Sequence, residues 1–198
     1  QGPAAGVSAC DTVYDMQAAR GASLTGDADT QPVQGRRRVG VLLAVAATVI
    51  VLDQMSKIIA VASLQDGTVV EVIDGIFQLR LVRNAGAAFS FATGLTVVFT
   101  AIAVVVIVVI LRLSRRLTSL PWAIALGGLL GGAVGNLLDR VMREPAPLRG
   151  HVVDFLELTH WPVFNLADSV IVGSAVLMAW LSLRGVSYDG SGPDRSDE

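Results

Sequence analysis

Four long apolar runs constrain this chain more than any other feature of it. Residues 39–64 are apolar apart from the interruption DQMSK, 94–111 carry no charge, and 120–138 and 163–183 are built largely of aliphatic and small residues. A helix needs about 20 residues to cross the hydrocarbon core, and inside lipid the backbone must satisfy its own hydrogen bonds, so such runs fold as spanning helices. The composition agrees: 53% hydrophobic, 16% charged, with a mean hydropathy of +0.61. The expected fold is therefore an α-helical integral membrane protein with four transmembrane helices. One membrane domain is expected over 39–183, flanked by tails at 1–38 and 184–198.

An even number of spans puts both tails on one side. Arg36, Arg37, Arg38, Arg112, Arg115, Arg116 and Arg184 fall on that side, against Arg80, Arg83, Arg143 and Arg149 opposite. The triple arginine directly before the first span decides the orientation, with cytoplasmic termini and both longer loops outside. The first 35 residues are rich in Gly, Ala, Asp, Gln and Thr without an apolar period, so the 1–38 tail is expected to be disordered. A net charge of −2 with no basic stripe argues against nucleic-acid binding. The single Cys10 excludes an internal disulfide framework.

The outer loop at 65–93 contains TVVEVI and IFQLRLV around Asp74-Gly75, the pattern of a β-hairpin, so a small extracytoplasmic β-hairpin or sheet is expected. In its second strand Phe77, Leu79 and Leu81 share a face that could lie on lipid or bound substrate. The third span repeats glycine every fourth residue, at Gly127, Gly131 and Gly135 and again at Gly128 and Gly132, a spacing that lets helices approach closely in lipid. Its outer end sets Asn136, Asp139 and Arg140 on one face, at i, i+3 and i+4.

Carboxylates at such places are costly and call for a function or a partner. Asp53 and Lys57, four apart in the first span, read first as a mutually neutralising pair. Asp139, Asp154 and Asp168 gather at the outer face. Two neighbouring carboxyls cannot both ionise easily, so one can activate water while the other, protonated, donates to a peptide carbonyl. The N-terminus of the fourth span favours Asp168 as the more acidic member of such a pair. His151 and His160 form no HExxH motif, and Ser56 and Lys57 point about 100° apart on a helix, so zinc and Ser-Lys chemistry fit less well. Proton-coupled transport and a purely structural scaffold are the rival readings; carboxylates at one face rather than mid-membrane count against transport.

Five blocks now stand in order: DQMSK at 53–57, RNAGAAFS at 83–90, GGAVGNLLDR at 131–140, GHVVDF at 150–155 and FNLADS at 164–169. Over roughly residues 39–183 the chain resembles the lipoprotein signal peptidases, also called prolipoprotein signal peptidases or signal peptidase II. The resemblance implies a bacterial inner-membrane aspartic endopeptidase that cuts prolipoproteins before the S-diacylglyceryl cysteine of the lipobox. It implies Asp154 and Asp168 as the catalytic pair. Asp53, Lys57, Asn84, Gly86, Asn136, Asp139, Arg140, Asn165 and Ala167 then become substrate-binding or supporting residues, with Arg140 either pairing with Asp139 or facing lipid phosphate. No metal and no cofactor are expected. Expected partners are diacylglyceryl-modified prolipoproteins and membrane lipid, with the protein a monomer.

Overall fold

A computed structural model of the protein describes residues 2, 37–85, 95–145 and 148–191. Gly86 and the tail residues 1 and 3–36 lie outside the described residues. Four helices appear where hydropathy places them: α1 Val39–Leu64, α2 Leu95–Leu113, α3 Leu120–Met142 and α4 Leu166–Leu183. All four are long and apolar enough to cross a membrane. The polar interruption at Asp53 and Lys57 does not break α1, because both side chains turn inward and are fully buried. Ile58, Ile59, Val105 and Val176 instead face outward, as lipid-facing residues do.

α3 is the inner helix. It packs against each of the other three, and 56% of its most apolar stretch is buried against 17–22% for the others. Its two glycine rows serve two neighbours. A Cβ on Gly127 or Gly131 would stand 2.7 Å from the carbonyl oxygen of Leu42 and 2.8 Å from that of Ala46, so this row seats α1. A Cβ on Gly132 would stand 2.8 Å from the carbonyl oxygen of Ala167, and one on Gly128 would strike the Ser174 hydroxyl, so the second row seats α4. Dispersion at close range replaces the hydrophobic drive that lipid does not supply. A cluster of Leu42, Ala46, Ile110, Leu117, Ala123, Leu126 and Leu130 fills the tail-side half.

Beyond the α1 end, strands β1 Val69–Ile73, β2 Phe77–Asn84 and β3 Val152–Leu158 form an antiparallel sheet in the order β1-β2-β3. The expected hairpin is β1-β2, and Gly75 supplies the positive φ of +66° its turn requires. The third strand had no distinct local signal: VVDFLEL is too short and too mixed to separate from loop. The lipid or substrate contact expected of Leu79 and Leu81 gives way to protein packing. Both cover the α1 end, against a cluster of Ala60, Leu64, Val153 and Phe155, because the sheet folds down on α1 and hides that face.

Packing continues past the fourth span. Val186 accepts a hydrogen bond from the Trp122 indole at 2.6 Å, and the Tyr188 carbonyl accepts from the backbone N–H groups of Thr118 and Ser119 at 3.0 and 3.2 Å. The residues after α4 thus tie down the start of α3.

Candidate active site

Asp154 sits on β3, directly opposite Val82 of β2. Between Leu79 and Val82 the register slips, and this bulge sets the last residues of β2 against Val153 and Val152. Asn84 is thereby diagonal to Asp154 on the same sheet face, and its amide donates to Asp154 Oδ2 at 2.8 Å. Asn165 donates to Oδ1 at 2.6 Å. With 2% of its surface exposed, the Asp154 carboxyl is pushed up to about 6, chiefly by burial. The two amides oppose that shift, and the neighbouring charge of Asp168 adds to it.

Asp168 is the third residue of α4, whose N-cap is Asn165. The two form a reciprocal capping box: the Asp168 N–H donates to Asn165 Oδ1 at 3.0 Å, and the Asn165 N–H donates to Asp168 Oδ2 at 3.2 Å. Asn136 of α3 donates to Asp168 Oδ1 at 2.8 Å. Asn165 therefore holds one carboxyl through its side chain and the other through its backbone. One residue thus bridges the two carboxyls, each of which a further asparagine also holds.

Behind the pair lies a buried ionic group. Lys57 Nζ contacts Asp53 Oδ2 at 2.8 Å, Asp139 Oδ2 at 2.9 Å and Asn136 Oδ1 at 2.9 Å, which uses all three of its donors. Arg143 donates to Asp139 Oδ1 at 2.7 Å, so two cations meet two carboxylates. Gln54 adds contacts to Asp53, Asp139 and the Gly135 carbonyl. The group reaches both aspartates. Asp53 accepts from the Ala167 N–H in the first turn of α4 at 3.0 Å, and Asp139 accepts from the N–H of Val153, the residue before Asp154, at 3.2 Å.

The expected pair Asp53–Lys57 is present, with Asp139 as a further carboxylate on the same ammonium. Asn84, Asn136, Asn165 and Ala167 all join the same network, while Gly86 lies outside the described residues. The proposed pairing of Arg140 with Asp139 is not formed. Asp139 turns toward α1, where Lys57 is buried, and takes its second cation one turn on, at Arg143; the Arg140 guanidinium lies 5.8 Å over the Phe99 ring. Its Nη1 is buried without a hydrogen-bond partner among the described residues. Gln54 and Arg143 were not singled out from sequence. Gln54 sits within the first block, but its partners lie some 80 residues away; Arg143 is one helical turn after Asp139, a spacing that could have flagged it.

A family model described as Signal peptidase (SPase) II matches residues 45–184. The chain is 50% identical over 173 residues to the lipoprotein signal peptidase of Mycolicibacterium smegmatis, covering 87% of this chain and 73% of that one. It is 53% identical to the Mycobacterium avium protein of the same name, covering 77% and 84%, and 52% identical to that of Streptomyces coelicolor, covering 80% and 78%. A solved bacterial membrane enzyme, determined in meso at 1.9 Å resolution, superposes with a TM-score of 0.67 at 27% identity, over 77% of this chain and 98% of that one.

Proposed function

The chain belongs to the signal peptidase II family, and on that basis we propose that it removes signal peptides from prolipoproteins as an aspartic endopeptidase with Asp154 and Asp168 as its catalytic pair. The observation that carries the assignment is the double hold of Asn165 on the buried carboxyl of Asp154 and the half-buried one of Asp168. Such a pair shares a proton at working pH. Asp154, shifted upward by burial, holds the proton and donates it to the scissile carbonyl oxygen; Asp168, at the N-terminus of α4, takes a proton from water. Water oxygen bonds to the carbonyl carbon, giving a tetrahedral diol. Return of a proton to the leaving nitrogen then breaks the peptide bond.

Lys57 takes no direct part, since its three donors are already used. The buried Nη1 of Arg140 is available to a carbonyl of the extended substrate beside the pair. Because the site lies where α1, α3 and α4 reach the sheet, the diacylglyceryl chains can stay in the bilayer while the peptide bond before the modified cysteine meets the carboxyls. On this reading the sheet side is extracytoplasmic, the termini are cytoplasmic, and the monomer suffices.

The test is cleavage of a synthetic lipobox precursor, with and without its diacylglyceryl group, by detergent-purified protein in the presence of a chelator. Chelator-resistant cleavage of the lipidated form alone is expected. Asp154→Asn and Asp168→Asn, each shown to be folded at the assay temperature, should lose at least about 10³-fold in kcat. Retained cleavage in both variants would overturn the assignment of the pair.

A further inference from the structure

Adjacent residues on a strand point to opposite faces of the sheet, so Val153 looks away from the carboxyl pair that Asp154 joins. On that reverse side, beside Val153, is a cavity of about 550 Å³ between the end of α1, the end of α3 and the sheet. Arg83, Arg143, Glu144 and His151 supply its polar wall, and Val61 and Met142 its apolar one. Arg83 stands opposite Val153 in the sheet register. Its guanidinium makes no ion pair among the described residues, and Arg143 spends only its Nε on Asp139. Two guanidinium groups thus face one exposed carboxylate, and terminal nitrogens are left to bind an anion.

Position identifies the anion. Val61 is in the last turn of α1 and Met142 is the last residue of α3, so the cavity stands where two spans leave the hydrocarbon. That is the level of the phosphates of bilayer lipids. Ile58, on the same helix face as Val61, and Met142 are 62% and 78% exposed and offer a track for acyl chain below the cavity. We infer that this cavity binds the phosphate of a membrane phospholipid, with Arg83 and Arg143 as its ligands and acyl chain along Ile58 and Met142. The site is separate from the carboxyl pair and takes a lipid that is not cleaved. Glu144 opposes the anion.

Native mass spectrometry of the full chain, purified in a phosphate-free neutral detergent, tests the assignment by titration with dihexanoyl-phosphatidylglycerol. One bound lipid is expected, with Arg83→Gln and Arg143→Gln each weakening it about tenfold and Arg83→Lys by no more than about threefold. Glu144→Gln should tighten binding severalfold, a gain that misfolding does not produce. Dihexanoylglycerol, which lacks the phosphate, should not compete, and inorganic phosphate should compete only at far higher concentration. Equal binding by the parent and Arg83→Gln, with both folded, would overturn the inference. So would displacement by dihexanoylglycerol, which means an apolar groove only, or by inorganic phosphate at matched concentration, which means a free-anion site.

Discussion

Asp154 costs the fold something that its chemistry requires. Its carboxyl is raised from an ordinary 3.8 to about 6, so the folded state binds its proton more tightly than the unfolded one. The contribution is therefore most favourable below about pH 4 and is lost as pH rises to about 6. In Asp154→Asn this titration is gone. The stability of the variant relative to the parent should then improve between pH 4 and 6, by at most about 3 kcal/mol, as read by denaturation at a series of pH values. A difference that stays flat with pH would mean that burial is not what shifts the group. If Asp154 is the proton donor proposed above, kcat/KM for a lipidated precursor should fall as pH rises through about 6, where that proton is lost. Lys57 acts through its contacts, since Asp53 and Asp139 both rest on its ammonium. Lys57→Met leaves Asp53 and Asp139 with no ammonium between them and should cost about 3–5 kcal/mol in unfolding free energy.

Among the helices, α3 decides whether the site assembles. Gly132 faces α4 one turn before Asn136, which reaches Asp168, so Gly132→Ala pushes its methyl toward the Ala167 carbonyl and moves the asparagine as well. Activity should fall about tenfold or more, with a loss of about 1–3 kcal/mol in stability. Gly173→Ala on α4, where an added Cβ meets nothing within 4 Å, should leave both unchanged or gain a few tenths of a kcal/mol. Melting temperature and precursor cleavage, measured side by side, separate the two. The glycine rows, the spans and the hairpin were legible in sequence because each is a local period in composition. β3 was not, since its identity as a strand comes from β2, whose partner residues lie about 70 positions earlier. Within the site, the Asp53–Lys57 pair is visible at helical spacing, whereas the contacts of Lys57 to Asp139 and Asn136 cross between helices and leave no periodic trace. The Arg140–Asp139 pairing, one of two roles expected of Arg140, does not form for the same reason: adjacency in sequence says nothing about which neighbouring helix each side chain meets.

At the scale of the bundle, the sheet and the carboxyl pair lie at one end, and Arg37 and Ser191 at the other. In a Cys10→Ser background, a cysteine at Asp74 on the hairpin tip should react with a membrane-impermeant maleimide on intact cells, and one at Ser191 only after permeabilisation. The reverse pattern would invert the topology and put the carboxyls on the cytoplasmic side. The arrangement also governs biosynthesis. Asp53, near the middle of α1, accepts a hydrogen bond from Ala167 of α4, 114 residues later, and Asp168 comes from that same helix. A nascent chain therefore lacks one carboxyl of the proposed pair until α4 is inserted. Hydrolysis by the proposed pair thus waits on the insertion of α4.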